Sequence, residues 1–295
     1  MNIDKMLEEF KIYKIDVEGK TEGSIDLYIR SIKEFCNNMK IDTYEQFIKV
    51  DAQTVRDWLS ILSREHKNSA TTKNNKLSAI KQIYLFLEEE KNLIIDRKIS
   101  KIKCSKTVVK EQKYMDSATM EELLDAVNNL RTKSAIAVIE CTGLRFKELL
   151  QLTCDDIERG YATVLGKGNK ERTIYFSDYC IELCKKYIKK KRAEIVKKYN
   201  VKTNLLFISD RGGVLSKQSF SKSLKNYSNK IGLYWADEMS PHKLRHSYIT
   251  KMLNENVPIQ VVRDISGHTN IYTTNRYAHA SQDDVRNAML RSNNI

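Results

Sequence analysis

The sequence is poor in the two residues that most often interrupt regular structure. Of its 295 residues only 10 are Gly and 2 are Pro, whereas 41% are hydrophobic and 30% are charged. These proportions exclude collagen-like and disordered chains, and six cysteines in this length exclude a disulfide-stapled scaffold. The composition therefore indicates a helix-rich protein with proper hydrophobic cores, and the length predicts two domains of unequal size.

The sequence also lacks the signals of export and of membrane insertion. No apolar run approaches the roughly 18 residues that a membrane span requires, and the first residues, MNIDKMLEEF, carry acids where a signal peptide carries basic residues. The cysteines form no CxxC pair, and Cys180 and Cys184 fit a buried helical stripe. We therefore expect free thiols, a reducing intracellular compartment and no membrane partner.

Acidic residues are fewer than basic ones. The sequence has 38 Asp and Glu against 51 Lys and Arg, which gives a net charge of +13. Residues 1–100 are balanced, residues 101–113 carry +4, and residues 114–295 carry +9. A basic excess of this size favours nucleic acid as the partner. We expect an N-terminal domain over 1–100, an exposed basic linker over 101–113 and a second domain over 114–295.

The apolar spacing before the linker is helical. Asp51 and Ser69 are placed as N-caps of the last two helices of this region. The apolar positions that follow the i, i+3, i+4 rule are Ile25, Tyr28, Ile29, Ile32, Phe35, Val55, Trp58, Leu59, Leu62, Leu77, Ile80, Ile83, Tyr84 and Leu87. The pattern predicts a bundle of four or five helices without a strand.

After the linker the pattern becomes mixed. A helix is predicted from Ser117, and a second one over 135–141 that ends at Gly143, before helical spacing resumes over 144–152. The short runs 161–166 and 171–176 predict a β-hairpin, and the remainder is mostly helical, including a C-terminal helix over 281–291. The predicted fold is therefore mainly α with a small hairpin in an α+β second domain.

Histidine is concentrated near the C-terminus, where four of the five lie between positions 242 and 279. Ser240 and Pro241 suit the N-cap and the first position of a helix, which places His242 and Arg245 on one face near its start. A helix N-terminus with these groups is a plausible phosphate-binding corner with an acid–base group beside it. A zinc site formed by His242 and His246 is disfavoured. No Glu lies between them to act as a base, and the cations Lys243 and Arg245, which do lie between them, would repel a metal ion. We expect no metal and no cofactor.

Four motifs resemble those of one family. The segments PHKLRHSYITKML (241–253) and SGHTNIYTTNRYAH (266–279) are similar to the C-terminal signature of the tyrosine recombinases, the phage-integrase and Xer group. Thr-Gly-Leu-Arg (142–145), followed by Glu148, and the hairpin segment GKGNKER (166–172) match two further family motifs. The N-terminal bundle resembles the family's SAM-like core-binding domain. The active-site positions that the resemblance implies are Arg145, Lys167, His242, Arg245, His268 and Tyr277.

Cleavage of a phosphodiester requires a nucleophile, stabilisation of the charge on the non-bridging oxygens, and an acid for the leaving oxygen. The resemblance implies that Tyr277 attacks and forms a 3′-phosphotyrosine with a free 5′-hydroxyl, which Lys167 protonates. The two arginines would hold the non-bridging oxygens with planar charged forks. His242 would assist proton transfer at the tyrosine, and His268 would hydrogen-bond the phosphate.

Two assignments have rivals close by in the sequence. Lys170 lies three positions after Lys167, and Tyr272 is an alternative nucleophile to Tyr277. The family motif favours the first lysine, and the nine-residue step from His268 favours Tyr277. His246 and His279 are interpreted as structural.

DNA contacts are expected outside these six positions. The candidates are Thr72, Lys73 and Lys76 at the start of the last bundle helix, and Lys217 and Gln218 at the start of the helix that follows Ser216. A lysine-rich run over 185–192 is typical of a solvated helix face, with phosphate contact as the alternative.

We therefore expect a site-specific recombinase acting on duplex DNA, in integration or excision of a mobile element or in Xer-type resolution. The alternatives are a type IB topoisomerase and a non-catalytic DNA-binding regulator of the same fold. The family further implies a tetramer on DNA with exchange of the C-terminal helix, and a possible accessory protein or second recombinase. Such a protein would lie in the cytoplasm, associated with the nucleoid.

Overall fold

A computed structural model describes residues 2–106, 113–166 and 171–267. The chain divides into two compact units, residues 1–110 and 111–295. Both are built mainly of helices, and the described part contains one sheet, of two antiparallel strands. This confirms the predicted mainly helical class with a small hairpin.

The first unit is a bundle of five α-helices. They are α1 (Ile3–Ile12), which continues into a π-helical turn (Tyr13–Val17), α2 (Glu22–Met39), α3 (Tyr44–Ile48), α4 (Ala52–Arg64) and α5 (Ala70–Glu89). The predicted caps are confirmed: Asp51 accepts from the Thr54 amide at 2.8 Å, and Ser69 from the Thr72 amide at 3.2 Å. The capped helices turn their apolar stripes inward, where Trp58 packs edge to face on Phe35.

The beginning of the predicted linker is attached to this bundle. Ile102 is buried in its core, and the Lys81 ammonium donates to the Ile102 carbonyl at 2.7 Å. Asn74 also exchanges hydrogen bonds with the backbone of Ser105. The predicted linker is therefore not exposed throughout, because the Ile102 side chain within the basic run packs into the core.

The second unit is built around one buried helix, α7. Its helices are α6 (Ser117–Ala126), α7 (Leu130–Thr142), α8 (Phe146–Leu149), α9 (Cys154–Arg159), α10 (Asp178–Tyr187), α11 (Ala193–Tyr199), α12 (Lys217–Lys230), α13 (Pro241–Asn254) and α14 (Ile259–Ser266). A π-helical turn (Ile188–Arg192) joins α10 to α11, and a 3₁₀ turn (Ala236–Glu238) precedes α13. Ala135, Ile136, Val138 and Ile139 of α7 are fully or almost fully buried, against α10 and α13.

The helix predicted over 144–152 is much shorter than expected. Only α8 forms there, because Arg145 has an extended backbone and begins a new helix after the left-handed residue Gly143. Past α8 the Leu152 carbonyl accepts from the Leu206 amide at 2.7 Å, outside any helix. The helical spacing of the sequence was therefore misleading over this stretch.

The predicted hairpin is present as β1 (Tyr161–Leu165) and β2 (Glu171–Tyr175). Its register pairs Tyr161 with Tyr175 and Val164 with Arg172. Because side chains alternate across a strand, Ala162, Val164, Arg172 and Ile174 share the inner face, where the three apolar side chains are buried.

Replacing Gly143 with Ala is expected to destabilise the second unit by more than about 1 kcal/mol. Gly143 has φ of +63°, and an added Cβ would lie 2.4 Å from a ring carbon of Tyr248. Chemical denaturation monitored by circular dichroism measures the loss. The matched control is Gly213→Ala, where the added Cβ meets only Ser209 Oγ, at 3.6 Å. Equal stability of the two variants would contradict this explanation.

Candidate active site

The centre of the candidate site is a buried carboxylate, Glu148 in α8. Its Oε2 accepts from the Arg145 amide at 2.8 Å, and its Oε1 from Arg145 Nη1 at 2.9 Å. Arg172 adds two hydrogen bonds, at 2.7 and 3.2 Å. Arg245 Nη1 lies 3.9 Å from Oε2. One carboxylate thus organises three guanidinium groups from three separate elements.

The charge state of Glu148 follows from these partners. Burial raises the pKa of its carboxyl, but the hydrogen bonds and charges of Arg172 and Arg145 outweigh burial, so that the pKa lies below its ordinary value. Glu148 is therefore ionised near neutral pH, and its negative charge stabilises the positive cluster around it.

Arg145 lies at the mouth of this cluster. The turn after α7 brings it to the start of α8, where its backbone amide and its side chain both bind Glu148. Its Nη2 donates to the Gly267 carbonyl at 2.8 Å. About a third of the side chain, 34%, remains exposed to solvent, so that the guanidinium can also meet a ligand.

Arg245 approaches the same place from α13 and is almost completely buried. Its Nη1 donates to the Gly143 carbonyl at 2.6 Å, and its Nη2 donates to the Ser266 carbonyl. The two predicted arginines therefore bind adjacent carbonyls at the C-terminal end of α14. Four helices, α7, α8, α13 and α14, converge on this point.

Arg172 is a residue of the site to which the sequence analysis gave no role. Its Nε donates to the Ile265 carbonyl at 2.9 Å, while the other guanidinium nitrogens bind Glu148. It connects β2 to both α8 and α14. Strand alternation could have indicated this role. It places Arg172 on the inner face of the hairpin, opposite Val164, and an inward-facing arginine needs a buried acidic partner.

Gly267 is required where the arginines meet α14. It ends that helix with φ of +61°, and an added Cβ would lie 2.9 Å from Arg172 Nη1 and 3.4 Å from Arg145 Nη1. Any other residue would displace a guanidinium or strain the backbone.

His242 lies in the first turn of α13, as its spacing from Ser240 and Pro241 predicted. Ser240 caps the helix by accepting from the Lys243 amide at 3.4 Å. The His242 residue is exposed, yet partial desolvation of its ring lowers its pKa below 6.5, and the charges of Arg245, Lys243 and other nearby cations lower it further. The imidazole is therefore neutral near pH 7 and able to accept a proton.

We expect His242 in the free protein to titrate below pH 6.5, since both desolvation and neighbouring cations disfavour the imidazolium. Proton NMR of the imidazole C2–H measures the midpoint, and His242→Gln assigns the signal by removing it. A midpoint at or above 6.5 for His242 would contradict the geometry.

Three predicted positions, Lys167, His268 and Tyr277, lie outside the described residues. The same holds for the rivals Lys170 and Tyr272, for His279 and for the predicted helix over 281–291. Their assignments stay predictions. The structure brings together the other three members of the set, Arg145, His242 and Arg245, on neighbouring elements of one unit.

The predicted DNA contacts lie on helix starts in the two units. In the first unit Thr72 is exposed, Lys73 Nζ donates to Ser63 Oγ at 2.7 Å, and Lys76 forms an ion pair with Glu34 at 2.6 Å. The paired Lys76 therefore has part of its charge already neutralised. In the second unit Lys217 and Gln218 are both exposed at the start of α12.

The remaining histidine of α13, His246, is buried and lies edge-on to the Tyr114 ring at 6.5 Å. Within the described ranges, no group of three or more His, Cys, Asp or Glu side chains could hold a metal ion. No helix in the part of the chain that the structure describes is both long and apolar enough to cross a membrane.

Two family models match the sequence and together cover most of it. The Phage integrase family matches residues 113–284, and the Phage integrase N-terminal SAM-like domain matches residues 7–91. Tyrosine recombinase XerC of Halalkalibacterium halodurans is 30% identical, over 96% of this chain and 95% of that protein. Tyrosine recombinase XerD of Staphylococcus haemolyticus is 29% identical, over 96% and 97%.

Solved structures share the fold at lower identity. XerH site-specific recombinase bound to a palindromic difH substrate superposes with a TM-score of 0.71 and is 22% identical, over 90% of this chain and 78% of that one. The Tn1549 transposon integrase in complex with a circular intermediate DNA has a TM-score of 0.72 at 19% identity, over 97% and 99%.

Proposed function

The chain belongs to the phage integrase family of tyrosine recombinases, enzymes that cleave and rejoin DNA through a tyrosine nucleophile, and we propose that Tyr277 is that nucleophile. The reaction is site-specific recombination of duplex DNA through a 3′-phosphotyrosyl intermediate. The observation that supports this function is the pair of arginines, Arg145 and Arg245, which lie against a common carboxylate, Glu148.

The scissile phosphate would lie against these two guanidinium groups. Each is oriented by a carbonyl of α14 and by Glu148, so that little reorganisation is needed when the charge on the non-bridging oxygens increases in the transition state. Arg145 is the more accessible of the two and would make the first contact. Arg245, which is desolvated, would act in a medium of low dielectric where its charge has a larger effect.

His242 would take the proton from the attacking Tyr277 hydroxyl, since its lowered pKa keeps the imidazole neutral near pH 7. His268 would donate a hydrogen bond to the phosphate. Lys167, which lies between the two hairpin strands in the sequence, would protonate the 5′-oxygen that leaves. Rejoining reverses these steps, with the 5′-hydroxyl of the partner strand as the nucleophile.

The proposal extends to the assembly. Four copies would act on two DNA sites, and the segment over 281–291 would dock on a neighbouring copy through Val285, Ala288 and Met289. The process served is integration or excision of a mobile element, or Xer-type resolution, with an accessory protein or second recombinase as a possible partner. Light scattering of the DNA-bound protein tests the assembly, and a mass of one or two copies on paired sites would contradict it.

A nicked suicide duplex tests the reaction itself. The binding site is first selected from a random-sequence library, and a nick just downstream of the cleavage position lets the short 5′-hydroxyl fragment diffuse away. We expect a covalent protein–DNA adduct on a denaturing gel, and a released fragment that polynucleotide kinase labels without prior phosphatase treatment. A released fragment with a 5′-phosphate would contradict the proposed polarity.

Plasmid relaxation separates this function from that of a topoisomerase. We expect no relaxation of a supercoiled plasmid that lacks the selected site, and recombination products from a plasmid that carries two copies of it. Efficient relaxation of the site-free plasmid would instead support a type IB topoisomerase.

A further inference from the structure

Most of the net positive charge of the second unit is concentrated in one short stretch of its sequence. Residues 185–202 contain nine Lys and Arg and a single acid, Glu194, which gives a net charge of +8. The rest of 114–295 is close to neutral, with a net charge of +1. The basic excess that indicates a polyanionic partner is therefore concentrated in one short stretch that the proposed chemistry does not use.

Residues 185–199 of this stretch form a continuous helical rod made of the end of α10, the π-helical turn and α11. Tyr187 and Ile195 face the core, and the buried Arg192 donates to the Leu205 and Thr203 carbonyls, which holds the following segment in place. The opposite side of the rod carries the exposed residues Lys185, Lys186, Lys189, Lys190, Lys197 and Lys198, and the exposed Lys202 follows shortly after α11 ends. We call these seven residues the lysine face.

The lysine face has almost no internal neutralisation. Among the described residues, this stretch forms one ion pair, between Lys191 and Glu194 at 3.7 Å. None of the seven lysines of the face has a described acidic partner within 4.0 Å. Lys198 lies over the Tyr199 ring, 5.2 Å from its centroid. Such a row of like charges repels itself, and an external polyanion would relieve that repulsion.

The position of the lysine face in the unit separates it from the arginine cluster. Helix α10 runs antiparallel to α7: the Cys180 side chain lies beside that of Cys141 near the end of α7, whereas the Leu183 carbonyl accepts from Ser134 Oγ nearer its start. At 1.5 Å per residue, Ser134 lies roughly 14 Å before Gly143 along the helix axis. The lysines follow Leu183 and therefore extend away from the arginines.

We propose that the lysine face binds the phosphate backbone of a second DNA duplex, distinct from the duplex held at Arg145 and Arg245. The rod from Lys185 to Lys198 is roughly 20 Å long at 1.5 Å per residue. A duplex carries one phosphate charge about every 1.7 Å along its axis, so that a rod of this length can lie along several phosphates at once. Lysines act there as point charges without sequence preference.

A duplex fits this face better than a single strand does. Single-stranded nucleic acid is bound on exposed aromatic rings that stack with the bases. Tyr199 is the exposed aromatic residue of residues 185–202, and Lys198 already lies over its ring. A second duplex held here would raise the local concentration of DNA around the enzyme. This inference goes beyond the recombination chemistry and does not depend on which tyrosine attacks.

A bridging assay tests the proposal. A biotinylated 60-bp random-sequence duplex is immobilised and saturated with the full-length protein, and a second, labelled duplex of the same length is then added. The test variant is Lys185→Gln/Lys189→Gln/Lys197→Gln, since Gln keeps helix propensity while it removes charge. We expect capture of the second duplex to fall about tenfold or more, and the log–log salt dependence of capture to decrease by about 3.

The matched control removes three exposed lysines from the balanced first unit, as Lys5→Gln/Lys49→Gln/Lys98→Gln. It should capture the second duplex within about twofold of the unaltered protein, by the small effect of surface charges outside a binding face. The proposal is overturned if the unaltered protein bridges no DNA, if the test variant bridges normally, or if both variants lose capture equally. Preferential capture of labelled polyglutamate would overturn it in favour of an acidic protein partner.

Both variants are also assayed with the nicked suicide duplex. Because the lysine face lies away from the arginine cluster, the test variant should form the covalent adduct within about threefold of the unaltered rate, in line with the modest rate effect expected of a remote charge. Loss of bridging with the adduct retained supports a second DNA surface. Parallel loss of adduct and bridging would place the three lysines on the reacting duplex and overturn the proposal.

Discussion

Tyr277→Phe is expected to lose the covalent protein–DNA adduct on a suicide duplex, with a fall in rate of at least about a thousandfold, the scale of effect seen when a covalent nucleophile is removed. The substitution deletes only the attacking hydroxyl, so that no alternative bond to the phosphate can form at this position. The adduct is quantified on a denaturing gel from radiolabelled DNA under single-turnover conditions.

Tyr272→Phe is the matched control, because it makes the same chemical change five residues earlier. It should retain adduct formation within about threefold, the small effect of a residue that contributes nothing to the transition state. DNA binding by both variants, measured by gel shift, should stay near that of the unaltered protein. Loss of the adduct in Tyr272→Phe and its retention in Tyr277→Phe would reverse the assignment.

Glu148→Ala is expected to cause the largest loss of stability among the site residues. The variant leaves the buried guanidinium group of Arg245 and the largely buried one of Arg172 without their carboxylate, and removing one partner from a buried ion pair costs about 3–5 kcal/mol. For a unit of this size the thermal midpoint of the second unit should fall by about 10 °C, as measured by calorimetry.

The pH dependence of Glu148 provides a second readout. Because its pKa in the folded protein is depressed, its contribution is complete above the ordinary carboxyl pKa and is lost as the pH falls through the lowered value. The stability difference between the unaltered protein and Glu148→Ala should therefore shrink in acid. Glu182→Ala, which changes an exposed glutamate of α10, should change the free energy of unfolding by no more than about 0.5 kcal/mol, and an equal loss there would contradict the role of Glu148.

Local chemistry in the sequence predicted the frame of the site. The Ser240–Pro241 pair specifies a helix start, and Gly143 specifies a helix end, because capping and left-handed backbone are properties of single residues. His242 lies in the first turn of α13, as predicted. The same reasoning failed over 144–152, where helical spacing alone did not reveal that Arg145 adopts an extended backbone.

The network behind the arginines could not be derived from spacing. Arg172 and Glu148 are 24 positions apart, and Arg145 binds a carbonyl 122 positions away. Such contacts depend on how β2, α8 and α14 pack against one another, which periodicity does not encode. Glu148 was noted only as part of a family motif, whereas the structure shows it as the anion that holds three cations together.

The charge distribution was only partly interpreted from the sequence. Counting by domain assigned the excess to residues 101–295 but did not separate the lysine face from the arginine cluster. That separation required knowing which way α10 runs along α7. Burial was also needed, because Arg192 in the same basic run supports the backbone and does not face solvent.

The most direct test of the central claim is to identify the residue that carries the DNA. The adduct is trapped on a suicide duplex, digested with nuclease and trypsin, and sequenced by mass spectrometry. Trypsin cleaves after Arg276, so that Tyr272 falls in the peptide 264–276 and Tyr277 in the peptide 277–286. We predict a nucleotide remnant linked through its 3′-phosphate to Tyr277. A remnant in the peptide 264–276, or one linked through a 5′-phosphate, would contradict the proposed mechanism.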